Sequence, residues 1–152
     1  MADWYPPLKI KILENYEGDN PGYAHNGDAG FDLRAAIQKT EFIYPGQRML
    51  VPTGIKCAVP VGYELQIRPR SGLALKHGVT VLNTPGTIDS GYRGEIGVIL
   101  INHDLEKTVQ IDPGDRIAQA VLTRFTKAEF WIVDELDDTA RGDGGFGSSG
   151  IA

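Results

Sequence analysis

The chain has a single cysteine, Cys57, which rules out an intrachain disulfide and an all-cysteine zinc site. Its three histidines, His25, His77 and His103, form no HxH or HxxxH pair, so no zinc site is expected. No stretch approaches the ~18 consecutive apolar residues of a membrane span. The N-terminus, MADWYPPLKIKILENYEG, has no basic segment followed by an apolar one, so no secretory signal is read there and a cytoplasmic location is expected. Positive charge is scarce too. Fifteen Lys and Arg against 20 Asp and Glu give a net charge of −5, which argues against broad nucleic-acid binding. An anionic ligand would depend on a few well-placed arginines.

Glycine and proline are plentiful, at 19 and 9 of 152 residues, more than an average domain carries. So many turns imply many short strands, and the length suits one domain. Leu8–Glu14 alternates, with Leu8, Ile10 and Ile12 on one side and Lys9 and Lys11 on the other. Tyr63, Leu65 and Ile67 alternate with Glu64, Gln66 and Arg68 in the same way. This period of two marks half-buried strands. Further strands are predicted over Glu41–Tyr44, Arg48–Val51, Ile55–Val59, Val79–Leu82, Glu95–Ile101, Lys107–Ile111, Arg116–Phe125 and Glu129–Val133. The breaks between them carry turn residues such as Pro45-Gly46, Pro52-Thr53-Gly54, Pro60-Val61-Gly62 and Pro113-Gly114-Asp115. The pattern predicts an all-β sandwich, jelly roll or barrel. One short helix is predicted, with Ser71 as N-cap, Leu73–His77 as body and Gly78 as terminator. From Ile96 onward Glu95–Ile101 is apolar on both faces, which suggests that one face packs on another subunit. The last stretch, Ala140–Ala152, is glycine-rich with almost nothing to build a core.

Five segments concentrate Gly, Asp, Arg or Ser beyond what turns need. They are AGFDLRA (Ala29–Ala35), RPRSGLALKHG (Arg68–Gly78), NTPGTIDSGYRGEIGV (Asn83–Val98), GDRIAQAV (Gly114–Val121) and RGDGGFGSSG (Arg141–Gly150). Taken singly, each has a structural reading. Asp89 suits an Asp-Ser-Gly turn at the tip of a hairpin between two strands, and Tyr92 a half-exposed strand position. Ser71 and Gly72 open a helix, where free amides can hold a phosphate, with Arg70 as a charged fork just ahead. Asp32 lies in an apolar strand, where a charge is usually paired, for instance with an arginine or a backbone turn. Asp115 and Arg116 read as a structural turn. Phe146 is poor core material among small and polar neighbours but suits stacking on a base.

In this order and spacing the segments resemble the five motifs of trimeric dUTPases, over nearly the whole chain. PRSGLALKHG, GTIDSGYRGEI and RGDGGFGSSG are the specific ones. The resemblance implies a distorted jelly-roll β-sandwich in a homotrimer, with residues 1–139 as the domain and 140–152 as a tail that closes over the site. It implies hydrolysis of dUTP to dUMP and pyrophosphate, which limits uracil in DNA and supplies dUMP for thymidylate synthesis. Water attacks the α-phosphorus, and Mg²⁺ is held by phosphates and waters with no direct protein ligand. It assigns Asp89 to the attacking water. Asn83 and the backbone around Thr87, Ile88 and Gly97 read the uracil, and Tyr92 packs under the deoxyribose. Arg70, Ser71, Gly72 and Gln119 grip the triphosphate, with Asp32 in support. Arg141, Phe146 and Gly147 come from the tail. Sites shared between subunits are expected, and neither nucleic acid nor membrane is an expected partner.

Two other readings compete. The related dCTP deaminases carry a glutamate three residues before a strand asparagine, but the position before Asn102 is Ile99, which cannot move protons. A trimeric β-module without catalysis would explain the strands, but not five segments suited to phosphate chemistry.

Overall fold

The computed structural model describes residues 5–145. Among them, strands β1 (Lys9–Ile12), β4 (Arg48–Ala58), β8 (Glu95–Asn102) and β6 (Val79–Val81) form one sheet in that order. A second is ordered β2 (Gly30–Arg34), β10 (Arg116–Arg124), β5 (Tyr63–Arg68) and β7 (Gly86–Ile88). β3 (Glu41–Ile43) pairs with β9 (Val109–Ile111). All pairings are antiparallel, and no strand pairs with its sequence neighbour. The chain thus passes repeatedly between layers, as in a jelly roll.

Period-two alternation puts the apolar set of each strand into one core. Phe31 and Leu33 of β2, Leu65 and Ile67 of β5, and Ala118 and Ala120 of β10 meet Val51 and Ile55 of β4 and Ile96, Val98 and Leu100 of β8. The small sheet adds Ile43, Val109 and Ile111. Two polar residues are buried among the described ones: Thr53, whose hydroxyl donates to the Ile96 carbonyl at 2.6 Å, and Asn102. The Asn102 amide donates to the carbonyls of Ile43 (2.9 Å) and Lys107 (2.8 Å), and its oxygen accepts the N–H of Asp104 (2.9 Å). Every group of this side chain is satisfied, which is the condition for burying it.

Several expectations change. Arg48–Val51 and Ile55–Val59 belong to one strand, because Pro52-Thr53-Gly54 makes an irregularity in the ladder rather than a turn. There Gly54 has φ +68°, and a Cβ on it would lie 2.6 Å from the Tyr16 Cα, so only glycine fits. The two strands flanking Asp89 are not a hairpin. β7 lies in one sheet and β8 in the other, and residues 89–94 cross between the layers. The helix α1 (Ser71–His77) begins one residue earlier than expected. Arg70 holds the N-cap position and Ser71 is the first helical residue, with no side-chain cap bond. Gly78 ends it at φ 63° as expected. Glu129–Val133 forms no strand. Phe130, Trp131 and Ile132 stand 90%, 78% and 102% exposed, and no sheet edge among the described residues takes them.

Candidate active site

The outer face of the β2–β10–β5–β7 sheet carries the cleft. Phe31 and Leu33 point into the core, so Asp32 points out, and the same alternation turns out Gln119 on β10 and Arg68 on β5. Gln119 is in register with Asp32 on one side and Arg68 on the other. Asp32, Gln119 and Arg68 therefore form one row across three strands. The next row, reached through Val121, has Gly30 at its β2 end. A Cβ at Gly30 would lie 2.8 Å from the Gln119 Oε1, so the bare glycine leaves room for that side chain. Above the row, β5 runs through Pro69 into Arg70 and α1.

These parts enclose a cleft of about 420 Å³, whose walls include Asp28, Asp32, Arg68, Arg70, Ser71, Gly72 and Gln119. The Arg70 Nε lies 2.9 Å from Asp32 Oδ1, and its Nη1 donates to the Arg116 carbonyl at 2.9 Å. Arg116 Nη1 lies 3.5 Å from the other Asp32 oxygen. The pairing left open for Asp32 is thus with arginines. Gln119 is steadied by donating to the Pro69 carbonyl at 2.9 Å. The amides of Ser71 and Gly72 precede the first helical bond, which runs from Ala74 to Arg70. Anchored guanidiniums beside free amides suit an oligophosphate.

Asn83, Thr87, Ile88, Asp89, Tyr92 and Gly97 do not line this cleft. Asn83, Thr87, Ile88, Asp89 and Tyr92 lie on β7 and the segments flanking it, whereas Gly97 lies on β8 in the other sheet, opposite Pro52. Gly86 packs against the core, where a Cβ would meet Asn83 Nδ2 and Ile67 Cβ at 3.3 Å. The Asp89 carbonyl accepts the Tyr92 N–H at 3.1 Å. The Asp89 carboxylate is exposed and makes no hydrogen bond or ion pair among the described residues. The Tyr92 hydroxyl donates to the Glu95 carbonyl at 2.9 Å, which lays the ring over Gly94 and leaves 44% of the residue exposed. Arg141 is exposed, with Nε donating to the Gly144 carbonyl at 2.7 Å. Phe146 and Gly147 lie outside the described residues.

The sequence reading passed over Arg68, Asp28 and the second role of Arg116. Arg68 could have been found from the alternation of Tyr63–Arg68, which puts it on the face shared with Gln66. Arg116 gives no such signal, since its partner Asp32 is 84 residues away. The turn expected at Asp115 is present, with Asp115 Oδ2 accepting the Asp112 N–H at 2.9 Å.

Fold and site define an all-β sandwich that offers an anion cleft on one sheet and a separate carboxylate-bearing crossing. The dUTPase family model matches residues 17–150. The chain is 60% identical to the deoxyuridine 5'-triphosphate nucleotidohydrolase of Chlamydia pneumoniae over 89% of its own length and 93% of the relative's. It is 52% identical to the enzyme of that name from Bdellovibrio bacteriovorus, over 95% and 97%. Among solved structures, the dUTPase of Staphylococcus bacteriophage 80alpha with dUPNHPP superposes with a TM-score of 0.83 at 27% identity, covering 97% of this chain and all of that one. A dUTPase variant from phage phi11 of S. aureus, described with a structural Mg(II) ion, gives 0.76 at 25% identity, covering 88% of this chain and all of that one. The chain belongs to the dUTPase family.

Proposed function

We propose that this protein hydrolyses dUTP to dUMP and pyrophosphate, and so keeps uracil out of DNA while supplying dUMP for thymidylate synthesis in the cytoplasm. The observation that carries this reading is the Arg70–Ser71–Gly72 cleft over the Asp32–Gln119–Arg68 row, in a chain 60% identical to a deoxyuridine 5'-triphosphate nucleotidohydrolase.

Arg70, Ser71, Gly72 and Gln119 hold the triphosphate, and Asp32 supports them by fixing the Arg70 fork. Asn83 and the backbone at Thr87, Ile88 and Gly97 read the uracil edge. Tyr92, its hydroxyl tied back to Glu95, presents its ring to the deoxyribose and leaves no room for a 2′-hydroxyl. Asp89 orients the water and takes its proton. The water oxygen bonds to the α-phosphorus, the bridging P–O bond breaks, and pyrophosphate leaves with the electron pair. Among the described residues no three His, Cys, Asp or Glu side chains converge as a metal cage, and Asp32 is already shared by two arginines. That donor set fits Mg²⁺ carried on phosphate oxygens and waters. When bound, the ion neutralises charge on the triphosphate.

The working unit is a homotrimer, as the resemblance to trimeric dUTPases implies, and a cleft that the Asp89 group of its own chain does not line is compatible with shared sites. Each site takes its cleft from one subunit, its Asp89 crossing from a second and its tail from the third. Residues 1–139 are the domain, and 140–152, with Arg141, Phe146 and Gly147, close over the nucleotide. No helix among the described residues is long and apolar enough to cross a membrane. Purified protein is offered dUTP, UTP, dTTP and dCTP in turn, with pyrophosphate and ammonia measured. Pyrophosphate from dUTP alone is expected. Equal hydrolysis of UTP, or ammonia from dCTP, would overturn the assignment.

A further inference from the structure

Two arginines line the cleft, Arg68 and Arg70, and a third, Arg116, reaches its Asp32 wall from outside, and their electrostatic situations differ. Arg70 and Arg116 share the Asp32 carboxylate. Arg68 lines the same cleft and pairs with no carboxylate among the described residues. It is not loose, however. Its Nε and Nη2 both donate to the Gln66 Oε1, at 3.0 and 2.6 Å. The Gln66 amide donates in turn to Glu64 Oε1 at 2.6 Å. Glu64, Gln66 and Arg68 are alternate residues of β5, so all three lie on the outer face that floors the cleft. The glutamate fixes which end of the Gln66 amide faces Arg68, and the amide oxygen then steadies the guanidinium without neutralising it. The remaining nitrogen, Nη1, donates to nothing among the described residues.

We infer that Arg68 is a substrate-binding residue whose guanidinium meets the oligophosphate, a second fork beside Arg70 held ready by the Glu64–Gln66 relay. This rests on the reading that the cleft takes the triphosphate. A fork whose charge is already spent on Asp32 gives up part of that pairing when phosphate arrives, whereas Arg68 has no carboxylate to release. Its contact is present in both the bound substrate and the transition state, so its loss acts on KM more than on kcat.

Three variants test this: Arg68→Gln, Arg68→Lys and, as a control on the cleft, Arg70→Gln. The readouts are kcat, KM for dUTP, and inhibition by deoxyuridine, which carries no phosphate. In Arg68→Gln, KM is expected to rise about ten-fold, the scale of one partly solvated charged hydrogen bond. Inhibition by deoxyuridine should be unchanged, and Arg68→Lys should recover part of the loss. An unchanged KM in Arg68→Gln beside impaired Arg70→Gln would overturn the role of Arg68 and keep the cleft. Equal weakening of dUTP and deoxyuridine would make Arg68 a structural residue only. If Arg70→Gln also leaves KM and kcat unchanged, the placement of the triphosphate itself fails.

Discussion

Asp32 and Asp89 are both aspartates in glycine-containing segments, yet the fold gives them opposite surroundings. Asp32 stands on a strand between two buried residues and holds two guanidiniums. A carboxylate so engaged is committed to aiming Arg70. Asp89 sits on an exposed crossing, and its carboxylate has no partner among the described residues, which leaves it free to meet a water molecule. Asp89→Asn keeps the size and the turn but cannot accept the proton. Its turnover of dUTP is expected to fall by about 10²–10⁴, while affinity for a non-hydrolysable dUTP analogue stays within a few-fold. Turnover near that of the unaltered protein would take Asp89 out of the chemistry.

Among the elements, period-two alternation located nearly every strand, because the face a residue occupies is a local property. Which sheet a strand joins is not local. Pro52-Thr53-Gly54 has the residues of a turn, but Gly54 donates to Glu95 Oε1 (2.8 Å) and accepts from Leu13 (2.8 Å), so the strand continues through it. The Asp89 crossing looked like a hairpin because the stretch 89–94 is short and glycine-rich, and only the layer assignment of β7 and β8 reveals otherwise. The cleft residues of the PRSG segment were legible as a cluster in sequence, whereas the Arg116–Asp32 contact depends on strand register. The link between β8 and β9 yields a test at this scale. The Asp104 carboxyl accepts the N–H of Glu106 and of Lys107, both at 2.9 Å. These bonds, Glu106 first, hold its pKa below the usual carboxylate range. A depressed folded pKa means that the stabilisation is present above the unfolded value of about 4 and fades as pH falls through the folded one. Asp104→Ala should therefore lower Tm at pH 7, and the gap to the unaltered protein should narrow below about pH 4. A gap as wide at pH 3 as at pH 7 would show that ionisation of Asp104 has no part in it.

At the scale of the molecule, one chain leaves unused parts that fit a common purpose. The outward side of β8 carries half-buried Ile99 and Ile101, beside Leu50 of β4, which is 66% exposed. The apolar run at Phe130–Ile132 has strand-forming residues and no strand to pair with. The Asp89 carboxylate, the one assigned to the attacking water, does not line the cleft of its own chain. Apolar surface of this kind is costly in water unless a partner covers it, and three copies related by a closed rotation axis would cover it and complete each cleft. Two inactive proteins decide the matter: Asp89→Asn, and a truncation after Thr139 that removes the tail. They are unfolded, mixed in equal amounts and refolded together, and native mass spectrometry confirms that mixed trimers are present. A site works when its Asp89 comes from a truncated chain and its tail from an Asp89→Asn chain. With random assembly each condition holds for half the sites, so about one quarter of sites should be active. If every chain built its own site, no combination could restore one, and activity near zero in confirmed mixed trimers would exclude sharing.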